Sequence, residues 1–238
     1  MMDRNTHKII LAADLSSPSE AEDLLDLLRE DLVHVKIGPR LFASGGIPFV
    51  SRVIRMGFKV FLDLKLHDIP NTVSSAVDYF ASHGIWALTI HSAGGAAMLQ
   101  AARSANRFAG DEMLLFGVTV LTSLVSSSWD EVNPGCPLQE ALKNRAAICA
   151  ACKMDGIVCS PTDLPLLVPD FGGRLKMVVP GIRDNSGGDD QMRTASPEDA
   201  LKMGADYLVV GRPIIRANSP AKALQEMIER VERVGDKE

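Results

Sequence analysis

Short apolar runs rich in branched residues alternate with longer stretches whose apolar positions recur every three or four residues. The first run, "KIILAAD" (8–14), leads to Ser17-Pro18 and then to Leu24, Leu25 and Leu28 at helical spacing, a helix start followed by one buried face. The couplet then repeats. "HVKIG" (34–38) precedes a helix around 40–55, "KVFLDLK" (59–65) one starting near Pro70, and "WALTIHS" (86–92) the helical "GGAAMLQAARSA". "LLFGVTVL" (114–121) leads through a long loop to "LQEALKNRAAICAACK", and "GIVCS" (156–160) to a short helix after Pro161. "KMVVPGI" (176–182) and "YLVVGRPI" (207–214) are followed by "SPEDALKMG" and "SPAKALQEMIERVERV". Strict alternation of this kind predicts parallel strands joined by crossover helices.

Eight such units in 238 residues match the usual size of a (β/α)8 TIM barrel, with the whole chain, 1–238, as a single catalytic domain. The architectural rival is an open doubly wound sheet. It is disfavoured because no G-x-G-x-x-G follows the first strand and no G-x-x-x-x-G-K-[ST] occurs. The polar stretches at 122–137 and 183–195 fall between units, so they read as functional loops rather than linkers.

The third run departs from a simple core strand. In "VFLDLKLHDIPNT" (60–72), Leu62, Leu64 and Leu66 share one face, and Phe61, Asp63, Lys65 and His67 share the other. Helices would cover the leucines, which sends Asp63 and Lys65 into the barrel at its C-terminal end, where catalytic groups of this architecture sit. Asp14 closes the first strand and Lys36 lies near the end of the second. Four alternating charges at one mouth could be a structural ion-pair network. Buried charges give little net stability, however, so function is the better explanation.

Arg183 and Gln191 lie in the glycine-rich "VVPGIRDNSGGDDQ", and Gly211 and Arg212 follow the last strand. Ends of the seventh and eighth strands commonly hold phosphate in barrels, whereas the plain alternative is a pair of solvated arginines beside turn glycines. An anionic substrate, lying from these groups to the first three strands, is predicted.

Composition narrows the class further. With 46% hydrophobic and 23% charged residues the chain has the balance of a globular protein. A net charge of -5 and 5% aromatics leave no footprint for nucleic acid. The N-terminal apolar run spans five residues, too few for a signal peptide, and no run approaches the roughly 18 needed to cross a bilayer. A cytoplasmic protein is expected. Cys149 and Cys152 form a C-x-x-C, but in a helical context without a second pair, which reads as buried thiols rather than a redox or zinc site.

At the residues singled out above, the sequence resembles the orotidine 5'-phosphate decarboxylase family along nearly its whole length. The family signature Asp-x-Lys-x-x-Asp-Ile-Pro-Asn-Thr is matched by "DLKLHDIPNT" at 63–72. "KIG" on the second strand, "VTVLTS" at 118–123, "PGIR" at 180–183 (opened by Pro180) and "VVGRPI" at 209–214 follow in the expected order. The resemblance implies cofactor-free decarboxylation of orotidine 5'-monophosphate (OMP) to uridine 5'-monophosphate (UMP), with no metal.

By the same resemblance, Lys65 is the proton donor to C6 of the pyrimidine and Asp63 sits against the substrate carboxylate. Lys36 and Asp14 hold the charge network and the ribose hydroxyls. Thr122 or Ser123 contacts the ring, and Gln191, Gly211 and Arg212 bind phosphate, with Arg183 close by. Asp68, Ile69 and Thr72 reach into a neighbouring subunit's site, which makes the protein a homodimer with shared sites. The rival from the same superfamily is a magnesium-dependent sugar-phosphate decarboxylase or aldolase, such as 3-keto-gulonate 6-phosphate decarboxylase or hexulose phosphate synthase. Its enediolate chemistry would use the same carboxylates on a metal. "HDIPNT", "LTS" and "PGIR" match the orotidine branch instead. A third possibility, an inactive barrel that only binds phosphate ligands, conflicts with the presence of every candidate catalytic side chain. His91 ends the fourth run at the mouth, where it could line the pocket, but structural hydrogen bonding is the expected role.

Overall fold

The computed structural model describes residues 8–184 and 193–235. Eight parallel strands close into a barrel in sequence order: β1 (Ile9–Ala12), β2 (His34–Ile37), β3 (Lys59–Leu66), β4 (Ala87–His91), β5 (Leu114–Val118), β6 (Gly156–Val158), β7 (Lys176–Pro180) and β8 (Tyr207–Val210). β1 closes the ring by pairing with both neighbours, Ile10 opposite His34 on one side and Val209 on the other. The outer layer contains α1 (Pro18–Leu28), α2 (Pro39–Arg55), α3 (Pro70–Ala81), α4 (Gly95–Phe108), α5 (Ser126–Val132), α6 (Leu138–Ala151), α7 (Leu164–Phe171), α8 (Pro197–Lys202), α9 (Arg212–Ile215) and α10 (Pro220–Gly235). The fold is the (β/α)8 TIM barrel that the alternation predicts.

The two-residue period of each strand separates two apolar layers. Leu11, Val35, Leu62, Leu88, Leu115, Ile157, Val179 and Leu208 point outward into the main core beneath the helices. Ile10, Ala12, Phe61, Ala87, Phe116, Val178 and Val209 fill the barrel interior. Aromatic rings close its floor: Trp86 lies 4.2 Å from the His34 ring and 5.5 Å from Tyr207, and Phe61 meets Phe116 at 5.5 Å. Each step of two residues toward the C-terminal end then raises an inward position by one tier. His34 is followed by Lys36, Phe61 by Asp63, Ala87 by Thr89 and Val209 by Gly211. The plugged floor therefore confines polar chemistry to one mouth.

Two helices occur where the pattern predicts none, one in a predicted loop and one in the last residues of the eighth strand-like run. α5 lies inside 122–137, in the serine-rich "SSSWDEV", which has no amphipathic repeat. One anchor holds it: Trp129 is buried, donates its indole N–H to the Cys136 carbonyl oxygen at 2.7 Å, and takes the Arg145 guanidinium over its ring at 4.9 Å. α9 is a single turn directly after β8. α2 is also broken at Gly46, whose φ of 55° interrupts the helix two residues before Pro48.

The C-x-x-C lies at the C-terminal end of α6, Cys149 within the helix and Cys152 as its cap, with both thiols buried and free. Gly117 on β5 leaves room for Cys149, since a Cβ there would fall 2.3 Å from its sulfur. Burial, with Cys152 adding to it, pushes the Cys149 thiol up to about 12, the opposite of a reactive cysteine.

Candidate active site

The strand-end charges meet as the inward tiers require. Lys65 Nζ lies 2.9 Å from each oxygen of Asp63. Lys36 Nζ stands between two carboxylates, 3.6 Å from Asp63 and 3.2 Å from Asp14. Asp63 and Lys36 are almost withdrawn from solvent, with side chains 13% and 12% exposed, whereas Lys65 and Asp14 face the cavity more openly. Burial pushes the Asp63 carboxyl up, but Lys36 and Lys65, with hydrogen bonds from Lys65 and Thr89, outweigh it and hold the group below the usual carboxylate value. Asp63 is therefore held as the anion near neutral pH, between the side chains of Lys36 and Lys65.

The strand does not deliver Lys65 by regular pleating. The β3–β4 register shifts between Leu62 and Leu66, and Lys65 has a φ of 51°. A lysine in that left-handed conformation costs on the order of 1–3 kcal/mol, so neighbours must impose it. Thr89 does so from β4: its buried Oγ1 accepts the Lys65 backbone N–H at 2.8 Å and donates to Asp63 at 3.0 Å. One hydroxyl thus fixes the lysine's backbone and its carboxylate partner together.

These groups lie in a cavity of about 640 Å³. Leu121, Thr122 and Ser123, after β5, form one wall. Pro180 at the end of β7 and Gly181 and Arg183 after it, with Gly211, Arg212 and Arg216 after β8, form the wall across from Lys65. A pocket with acid–ammonium chemistry on one side and three guanidinium groups on the other suits an anionic molecule long enough to touch both. Among the described residues, no cluster of three or more His, Cys, Asp or Glu side chains is placed to hold a metal ion.

The Orotidine 5'-phosphate decarboxylase / HUMPS family model matches residues 7–227, nearly the whole barrel. The chain belongs to this family. It is 41% identical over 221 residues to the orotidine 5'-phosphate decarboxylase of Saccharophagus degradans, covering 92% of this chain and 93% of that one. To the Nitrosospira multiformis protein of the same name it is 39% identical over 233 residues, covering 98% and 97%. The crystal structure of orotidine 5'-phosphate decarboxylase from Lactobacillus acidophilus superposes with a TM-score of 0.83 at 32% identity, covering 94% of this chain and 98% of that one.

Of the residues singled out in the sequence for this family's chemistry, Asp14, Lys36, Asp63, Lys65, Thr122, Ser123, Pro180, Arg183, Gly211 and Arg212 all line the one cavity. Asp68, Ile69 and Thr72 do not. They sit at the start of α3 on the outer surface, Ile69 with 66% of its area exposed and Asp68 accepting the Ile69 N–H at 2.7 Å. Gln191 lies outside the described residues. His91 does not reach into the cavity lining; its Nδ1 accepts the Ala93 N–H at 3.2 Å, and its ring stacks on His67 at 5.2 Å. Burial, aided by Arg145, His67 and Lys65, lowers the His91 pKa to about 4, so the ring is neutral near pH 7.

Sequence reading passed over Thr89, Arg193 and Arg216. Thr89 is legible by parity, because it lies two residues beyond Ala87, which faces the barrel interior. Arg216 follows Arg212 by one helical turn. Arg193 carried no signal, since an arginine at a loop end has no periodicity to interpret.

Proposed function

We propose that the protein decarboxylates OMP to UMP and carbon dioxide, the last step of de novo pyrimidine synthesis, through its own side chains and with no metal or organic cofactor. The observation that carries this reading is the ammonium of Lys65 bound to both oxygens of Asp63, across one cavity from Arg183 and Arg212. In the reaction the bond from C6 to the carboxyl carbon breaks, its electron pair stays on C6, and carbon dioxide leaves. Lys65 Nζ then gives a proton to C6 and regains one from water. A cation beside the developing carbanion stabilises it where charge appears.

Asp63 keeps the ammonium aimed and places negative charge where the substrate carboxylate must lie. Lys36 balances that charge, and with Asp14 it presents donors and acceptors to the ribose. Thr122 and Ser123 face the pyrimidine. The acceleration such an enzyme must supply is about 8–23 kcal/mol. One charged hydrogen bond contributes roughly 1.5–3 kcal/mol, so no single group suffices. Phosphate binding by Arg183, Gly211, Arg212 and Gln191 contributes by holding the nucleotide against the charge array.

Lys36 also separates this reading from the sugar-phosphate alternative. A shared magnesium would have to lie between carboxylates, and here an ammonium bridges Asp14 and Asp63. The direct test is ultraviolet absorbance of OMP with the protein in excess EDTA, beside a sugar-phosphate substrate with magnesium. Conversion of OMP alone supports the reading, and magnesium-dependent turnover of the sugar phosphate alone overturns it.

The protein acts as a cytoplasmic homodimer in this account. Four free cysteines agree with a reducing compartment, and no helix among the described residues is long and apolar enough to cross a membrane. Asp68, Ile69 and Thr72, exposed and not part of their own cavity's lining, complete the partner's site in this reading. Mixing inactive Lys65→Ala and Asp68→Ala proteins should restore about a quarter of wild-type activity, because half of the dimers then carry one intact site of two. Absence of any recovery between subunits that exchange would refute sharing.

A further inference from the structure

We propose that Arg193 is a positioning residue for this reaction, holding the ring-side and anion-side walls of the cavity in register. The inference rests on the function proposed above. Arg193 spreads its guanidinium over three partners. Nη1 meets Asp163 Oδ1 at 2.6 Å, Nη2 donates to the Leu121 carbonyl oxygen at 3.2 Å, and Nε donates to that of Thr122 at 3.4 Å. The ion pair is withdrawn from solvent, with side chains 10% and 5% exposed. The second Asp163 oxygen accepts the Ser160 N–H at 3.0 Å, which ties the pair to the end of β6.

The other arm of the connection is backbone. Two residues beyond Arg193, the Ala195 carbonyl oxygen accepts the Arg183 N–H at 3.0 Å, and the Ala195 N–H donates to Gly181 at 3.3 Å. Leu121 and Thr122 line one wall of the cavity, and Gly181 and Arg183 the other. A single planar cation therefore joins the segments after β5, β6 and β7. Lysine could meet the Asp163 charge but could not also hold two carbonyl oxygens in one plane. A substrate anchored at its anion and reacting at its ring needs that spacing fixed, since a displacement of about 1 Å at reacting atoms can cost on the order of 100-fold in rate.

The test uses the full-length protein with Arg193→Gln, Arg193→Lys and Asp163→Asn, reading kcat and KM for OMP separately together with Tm. Arg193→Gln should lower kcat on the order of 100-fold with a much smaller change in KM. Arg193→Lys should recover part of the loss, and Asp163→Asn should reproduce much of it. A residue that only stabilises the fold would lower Tm and leave kcat of the folded protein unchanged, and that result would overturn the proposal. Amide hydrogen exchange across residues 119–125 provides a readout independent of turnover. Faster exchange in folded Arg193→Lys or Arg193→Gln is expected, and unchanged exchange would contradict the strut. Wild-type protein that fails to convert OMP, with exchange responding as expected, would defeat the functional reading while leaving the mechanical link intact.

Discussion

Replacing Thr89 with valine tests how the charge array is held, because it removes one hydroxyl and almost no volume. Threonine and valine are not equivalent in a buried site, since the hydroxyl's partners must be satisfied some other way. Here both partners belong to the proposed catalytic pair: the Lys65 N–H at 2.8 Å and Asp63 Oδ1 at 3.0 Å. Losing a hydrogen bond to a charged group costs roughly 1.5–3 kcal/mol, and an orphaned buried N–H roughly 1–3 kcal/mol. Water entering from the cavity offsets part of this, which leaves about 2–4 kcal/mol. At roughly 2–4 °C per kcal/mol for a domain of this size, Tm should fall by about 5–15 °C. Activity should fall further than stability suggests, because Lys65 loses the contact that fixes its left-handed backbone while Asp63 loses an orienting donor. A decrease in kcat on the order of 10–100-fold is expected, with Thr89→Ser close to wild type. Thermal melts and steady-state OMP kinetics on the three proteins decide the matter. A valine variant with wild-type Tm and kcat would show that the backbone of Lys65 is imposed by something else.

Other expectations follow from the charges and thiols. His91 has a folded pKa of about 4 against an ordinary 6.5, so between these values the unfolded chain binds the proton and the native protein does not. Stability is full above 6.5 and falls as pH drops toward 4; His91→Gln should flatten that slope in urea titrations at successive pH values. Asp63 is lowered below 3.8, so its contribution is present above that pH and lost as pH falls through the lower folded value. Asp63→Asn should remove this acid limb and, by taking from the nearly buried Lys36 one of its two carboxylate partners and from the more open Lys65 its own, cost on the order of 1–3 kcal/mol in a denaturant melt. Cys149 should resist a thiol-labelling reagent until the protein unfolds, because burial holds its thiol up at about 12.

The parts of this molecule legible in the sequence are those governed by periodicity. Alternation of runs marks out the barrel, and parity along β3 sends Asp63 and Lys65 to the same mouth as Asp14 and Lys36. Lys65, however, lines the cavity through a register shift and a positive φ, which no two-residue period encodes. Thr89 is an ordinary strand residue until that irregularity gives its hydroxyl two partners. α5 depends on a single tryptophan seated against a later arginine, a tertiary contact with no local repeat. Arg193 matters because three distant segments converge on it, and convergence is invisible along a chain. Asp68, Ile69 and Thr72 mark the opposite limit, since they are exposed and do not line the cavity, and only the resemblance gives them a role.

The central claim is that Lys65 protonates C6 as carbon dioxide leaves, without a metal. The measurement that tests it most directly is conversion of OMP in D2O with excess EDTA by wild-type and Lys65→Ala proteins, followed by NMR of the product. The wild type should yield UMP carrying deuterium at C6, and the variant should be slower by at least about 10²–10⁴-fold, the range expected for loss of a general acid. Turnover by a folded Lys65→Ala protein within tenfold of wild type, or wild-type turnover that stops in EDTA and returns with magnesium, would contradict the account.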